Sequence, residues 1–139
     1  MQLTMQTDYA LRTLMFLASR SERSKIADVA ELFDISINHV AKVVSLFSRY
    51  GYIHSVRGLG GGIELSKSLD EIRLGEIIEH FEGNLHLLAC VNTENVCAIQ
   101  PFCKLKGVLA EAERVQLEYL NSVTLADVTP STRQLMSIS

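Results

Sequence analysis

The chain has no internal repeat, no recognisable catalytic constellation and no long apolar run, and its cysteines are confined to one short stretch. Without about twenty consecutive apolar residues, no segment is expected to cross a membrane. The opening residues MQLTMQTDYALRTLMFLAS lack a basic start and a small-residue cleavage site. They are read as part of the fold rather than a secretory leader, and a cytoplasmic protein is expected. No nucleophile elbow and no pair of cleft carboxylates occurs, so an enzyme is not expected. The glycine run Gly58-Leu59-Gly60-Gly61-Gly62 is followed neither by Lys-Ser/Thr nor by a helical pattern. That excludes a phosphate-binding loop.

Net charge is −3, a poor attractor for a polyanion, but the charge is unevenly spread. Residues 1–67 hold 8 Lys and Arg against 6 Asp and Glu, net +2, whereas residues 68–139 hold 5 against 10, net −5. The first half is therefore the candidate partner for nucleic acid.

Apolar spacing predicts a helix over 4–19, a second over 24–33 capped by Ser24, and a tight turn at Asp34-Ile35. A third helix runs from a Ser36 cap to a Gly51 stop, with Val40, Val43, Val44 and Phe47 inward. Two short helices around a tight turn read as helix-turn-helix. Alternation on either side of the glycine run reads as a β-hairpin, which completes a winged helix. Ser68-Leu69-Asp70-Glu71 has the form of a capping box opening a helix to about Phe81. The longest helical pattern spans Lys104 to about Asn121. Its wide apolar stripe is expected to bury itself against a second copy of the chain. The fold class is therefore mainly α with a small β-hairpin wing: a winged helix-turn-helix plus a long dimerisation helix. Residues 1–81 form the expected DNA-binding domain, 82–129 a cysteine sensor loop with the dimerisation helix, and 130–139 a flexible tail.

The third helix is the expected recognition helix, to be laid in the major groove. Ser36, Asn38, His39, Lys42, Ser45 and Arg49 are its candidate contacts. Asn can pair bidentately with adenine, and Lys or His can reach guanine or phosphate. Arg57, flanked by the glycine turn with Gly60 and Gly61, suits a narrow electronegative minor groove.

Cys90, Cys97 and Cys103 form a C-x6-C-x5-C array, and an odd number cannot pair off internally. Thiolates on one loop suit a soft metal, above all an iron–sulfur cluster. A zinc site borrowing His86 and a metal-free thiol set remain open from the residues alone.

Leu3-Thr4, Asp8-Tyr9-Ala10-Leu11-Arg12, the helix-turn-helix, Ser55-Val56-Arg57-Gly58 with Gly60-Gly61-Gly62, the cysteine triplet and Thr124-Leu125-Ala126-Asp127-Val128 together resemble the IscR/NsrR family of bacterial winged-helix regulators. The resemblance covers residues 1 to about 128. It implies a homodimer on a palindromic double-stranded DNA operator, with an iron–sulfur cluster at each sensor loop. IscR-like regulators of cluster assembly hold [2Fe–2S] with a histidine three residues after the last cysteine; Lys106 stands there instead. NsrR-like repressors sense nitric oxide through [4Fe–4S], with an aspartate from the partner as fourth ligand, which matches Asp8. The resemblance thus favours a nitric-oxide-sensing repressor of NO-stress genes with one [4Fe–4S] cluster per subunit. The alternatives are a redox- or iron-responsive regulator of cluster assembly with [2Fe–2S], or a thiol-based regulator without cluster. His80 and His86 are rival ligands.

Overall fold

Thr4 begins the fold by accepting a hydrogen bond from the Thr7 amide, the N-cap of helix α1 (Met5–Ala18). The computed structural model describes residues 2–83 and 85–138. Helix α2 (Ile26–Phe33) ends at Asp34, a left-handed residue (φ 53°) that turns the chain into α3 (Ile37–Tyr50). The Ser36 hydroxyl caps α3 by accepting from His39 N at 3.2 Å, and Gly51 (φ 85°) stops it. The expected helix-turn-helix is present with both of its turn signals.

Strands β1 (Ile53–Val56) and β2 (Gly62–Leu65) pair antiparallel, Ile53 against Leu65 and Val56 against Gly62. Ser24 departs from its expected role. It forms a bridge to Ile63, with hydrogen bonds of 3.1 and 2.7 Å, and α2 starts two residues later. The hairpin edge needs a pairing partner, and Ser24 in extended backbone supplies one. Gly62 permits this approach, since a Cβ there would lie 2.6 Å from the Ser24 carbonyl oxygen.

The Ser68 capping box also fails to open a long helix. Leu69–Glu71 is a single 3-10 turn, and α4 begins only at Leu74, running to Glu82. Ile72 and Arg73 are extended because the chain beyond α5 (Lys104–Ser122) pairs with them. Leu125 N donates to Ile72 O at 2.8 Å and Leu74 N to Val123 O at 3.0 Å. A nonlocal pairing overrides the local cap.

The core interleaves Ala10, Leu14 and Phe16 of α1 with Val29 of α2, Val40, Val43 and Phe47 of α3, and Ile53, Ile72 and Ile77. Leu125 enters it from the short helix α6 (Leu125–Val128), whose cap is reciprocal between Thr124 and Asp127. The tail expected to be flexible is instead helical over Thr132–Met136 (α7), capped by Ser131. Leu135 is 5% exposed against the core, and the Thr132 hydroxyl donates to the Ser19 carbonyl. Polar composition hid a single apolar anchor.

Candidate nucleic-acid interface and cysteine loop

Burying the valine stripe of α3 turns the opposite side outward. Asn38, His39, Lys42, Ser45 and Arg49 are all exposed, and the His39 ring lies 5.6 Å from Tyr9 of α1. Lys42 and Arg49 have no carboxylate partner among the described residues. Ser36 is also exposed, with its oxygen committed to the cap.

The wing sets Arg57 at the head of its turn, exposed and without an ion pair among the described residues. Gly60 (φ 74°) faces open space. Gly61 serves the turn itself: its amide donates to the Gly58 carbonyl at 3.0 Å, and a Cβ there would strike the Val56 carbonyl oxygen at 2.3 Å. Glu64 is the one carboxylate on the hairpin. His54 Nε2 lies 2.7 Å and Arg23 Nε 3.3 Å from its Oε1. The His54 hydrogen bond, reinforced by Arg23, holds this carboxyl below its usual range. The charge most able to repel a phosphate is thus neutralised within the protein. Arg23 reaches also to the Gly60 carbonyl at 3.4 Å. Neither Arg23 nor His54 was distinguishable in the sequence, because their alignment depends on the hairpin register.

The cysteines sit on a loop punctuated by 3-10 turns at Ala89–Val91 and Gln100–Phe102. Cys90 and Cys103 are partly buried, Cys97 is exposed, and none forms a disulfide. Cys103 directly precedes α5 as its N-cap residue. The donor set is three thiols on one segment, which fits a soft metal or an iron–sulfur cluster. Among the described residues, no three His, Cys, Asp or Glu groups converge on one metal-sized point. Lys106 lies 3.7 Å from Glu94 and ties α5 to the loop. His86 Nδ1 lies 2.9 Å from Glu113 of α5, which also accepts from Leu87 N at 2.5 Å. His80 stacks on Tyr50 at 4.2 Å, at the end of α3. Asp8 pairs with Arg12 one turn along α1, at 2.9 Å. Among the described residues, Asp8 joins no metal-sized group with the cysteines of its own chain.

Between these parts lies a joint the sequence did not reveal. Glu82, the last residue before the loop segment, accepts from Thr4 N (2.9 Å), Thr4 Oγ1 (2.9 Å) and Thr7 Oγ1 (3.0 Å). Burial alone would raise its pKa. The three donors outweigh that and hold it below the ordinary value. No local motif signals a pairing of residues almost eighty positions apart.

The chain is similar to known regulators over nearly its whole length. Residues 3–131 match the family model Rrf2, described as an iron-dependent transcriptional regulator. It is 40% identical over 141 residues to the HTH-type transcriptional regulator NsrR of Halalkalibacterium halodurans, covering 99% of this chain and 97% of that one. It is 38% identical to the protein of that name in Bacillus subtilis, with the same coverage. Among solved structures, CymR, the global cysteine regulator of B. subtilis, superposes with a TM-score of 0.77 at 21% identity, covering 93% and 96% of the two chains. IscR of T. potens gives 0.73 at 24%, covering 91% and 85%. These likenesses show the winged helix-turn-helix fold. A family of regulators, not enzymes, agrees with the lack of catalytic residues, and the chain belongs to the Rrf2 family of transcriptional regulators.

Proposed function

We propose that the chain is a cytoplasmic transcriptional repressor that senses nitric oxide through an iron–sulfur cluster and controls NO-stress genes. Residues 1–81 would contact DNA and residues 82–129 would sense and dimerise. The observation that carries this reading is three unpaired cysteines on one loop, in a chain about 40% identical over its length to regulators named NsrR. Lys106 in place of a histidine argues against the cluster-assembly form.

Cys90, Cys97 and Cys103 would hold the cluster, [4Fe–4S] and one per subunit, with Asp8 of a second copy as the fourth donor. When bound, it supplies iron that nitric oxide can bind. The chain's own residues do the rest. Helix α5 buries none of its residues, and leaves Leu105, Val108, Val115 and Tyr119 at least 50% exposed. A second copy of α5 would cover that face and pair two recognition helices for a palindrome. Half-sites about one helical turn apart then require a fixed separation of the two α3 helices. Glu82 links the loop to α1, and α1 packs on α3. A loop rearrangement would reach the recognition helix by this route. A coupling of a few kcal/mol suffices to release DNA.

Native mass spectrometry of anaerobically purified protein tests this. The expected species is a dimer of the 15.5 kDa chain carrying one four-iron, four-sulfide cluster per subunit. A metal-free monomer after reconstitution would contradict it.

A further inference from the structure

One buried polar residue belongs to neither the helical core nor the wing. Gln100 is 8% exposed, although Val96, Cys97, Ala98 and Ile99 just before it are all exposed. Its Nε2 donates to the Cys90 carbonyl at 3.0 Å and to the Thr93 carbonyl at 2.5 Å. Its Oε1 accepts from Val96 N at 3.0 Å. Its backbone N donates to the Cys97 carbonyl at 3.2 Å, and its carbonyl accepts from Cys103 N at 3.4 Å. One residue therefore hydrogen-bonds to the backbone of all three cysteines.

The amide orientation is determined by this network. Turned over, it would set its oxygen against two carbonyls and its NH₂ against an N–H. Besides Gln100, residues 90–103 are ordered by two 3-10 turns, a left-handed Asn95 (φ 61°), a conformation that Asn tolerates, and the exposed Glu94–Lys106 pair. We propose that Gln100 is the positioning residue of the cysteine site, fixing the spacing of the three thiol-bearing backbone positions in advance of metal. The proposal rests on the reading that these cysteines hold an iron–sulfur cluster. Groups that orient metal ligands without touching the metal commonly govern metal affinity by about 10–100-fold.

Two variants separate the parts of the claim. Gln100→Leu removes both side-chain donors and the acceptor. Gln100→Glu keeps the shape but faces two carbonyls with a carboxylate. Amide exchange of the apo protein is expected to quicken about tenfold at Val96 in Gln100→Leu, which removes the acceptor of that amide, whereas Gln100→Glu keeps the acceptor and loses only the two donors. Cluster loss to an iron chelator, followed by absorbance, is expected to quicken about 10–100-fold. The melting temperature is expected to hold within about 2 °C, because none of the side chain's bonds reaches the helical core. Unchanged exchange at Val96 in Gln100→Leu would overturn the ordering role. Faster exchange with unchanged cluster loss would overturn the positioning role. A wild-type protein that takes up no cluster refutes the iron–sulfur reading itself, and the exchange result then decides Gln100 alone.

Discussion

Replacing Glu82 by Gln should loosen the joint between the end of α4 and the start of α1, by an amount the structure allows to be worked out. Glu82 accepts three hydrogen bonds. The two from Thr4 are exposed, so water replaces most of what they contribute. Thr7 is fully buried, and its hydroxyl loses a charged acceptor that water cannot readily supply. Hydrogen bonds to charged groups are worth about 1.5–3 kcal/mol, and Gln retains one weaker acceptor, so a loss of about 1–2 kcal/mol is expected. For a chain of this size that is roughly 3–8 °C in melting temperature. The pH dependence gives the sharper test. The folded-state pKa of Glu82 lies below its ordinary value of 4.5. Its contribution is therefore present above that value and is lost as pH falls through the folded value. Melting curves of wild type and Glu82→Gln should differ at pH 7 and converge as the pH drops below about 4.5. A gap that stays constant between pH 7 and pH 3 would refute the reasoning.

Other substitutions probe other parts of the molecule. Arg57→Ala should weaken operator binding most on sites with a narrow A/T-rich minor groove, whereas Lys42→Ala should cost about 1–3 kcal/mol at one base pair if Lys42 reads guanine; a panel of single-base operator variants in a binding titration separates the two. Gly75→Ala would drive a Cβ to within 2.1 Å of Asn121 Oδ1 and 2.9 Å of its backbone nitrogen, so α4 and α5 must part; denaturant unfolding should show a loss of about 1–3 kcal/mol. Leu135→Ala removes the tail's buried anchor, and should both lower stability by about 2 kcal/mol and expose the chain at Arg133 to trypsin.

Most of the winged helix was legible because its signals are local. Ser36, Gly51 and the valine stripe of α3 report on their own neighbourhood, as does the alternation around the glycine turn. The failures are nonlocal. Ser24 looked like a cap and is a bridge to Ile63. Ser68 looked like the start of a long helix, yet Leu125 and Val123 claim the backbone at Ile72 and Leu74. Leu135 lay in a polar tail that gave no sign of its docking. Among the candidate site residues, the cysteines and the cationic residues of α3 and the wing stand out in the sequence by type alone. Glu82, Glu113 and Gln100, which hold the loop, could not. An acid or an amide acquires such a role only when the fold brings donors and acceptors to it.

In the proposed repressor the cysteine loop is coupled to DNA binding, and one measurement addresses both ends. Protein purified without air is titrated with nitric oxide while its absorption spectrum and its affinity for an operator fragment are followed in the same cuvette. The expected result is a broad [4Fe–4S]-type band that bleaches at a few NO per cluster, with operator affinity falling over the same range. A band that bleaches while operator affinity holds would contradict it.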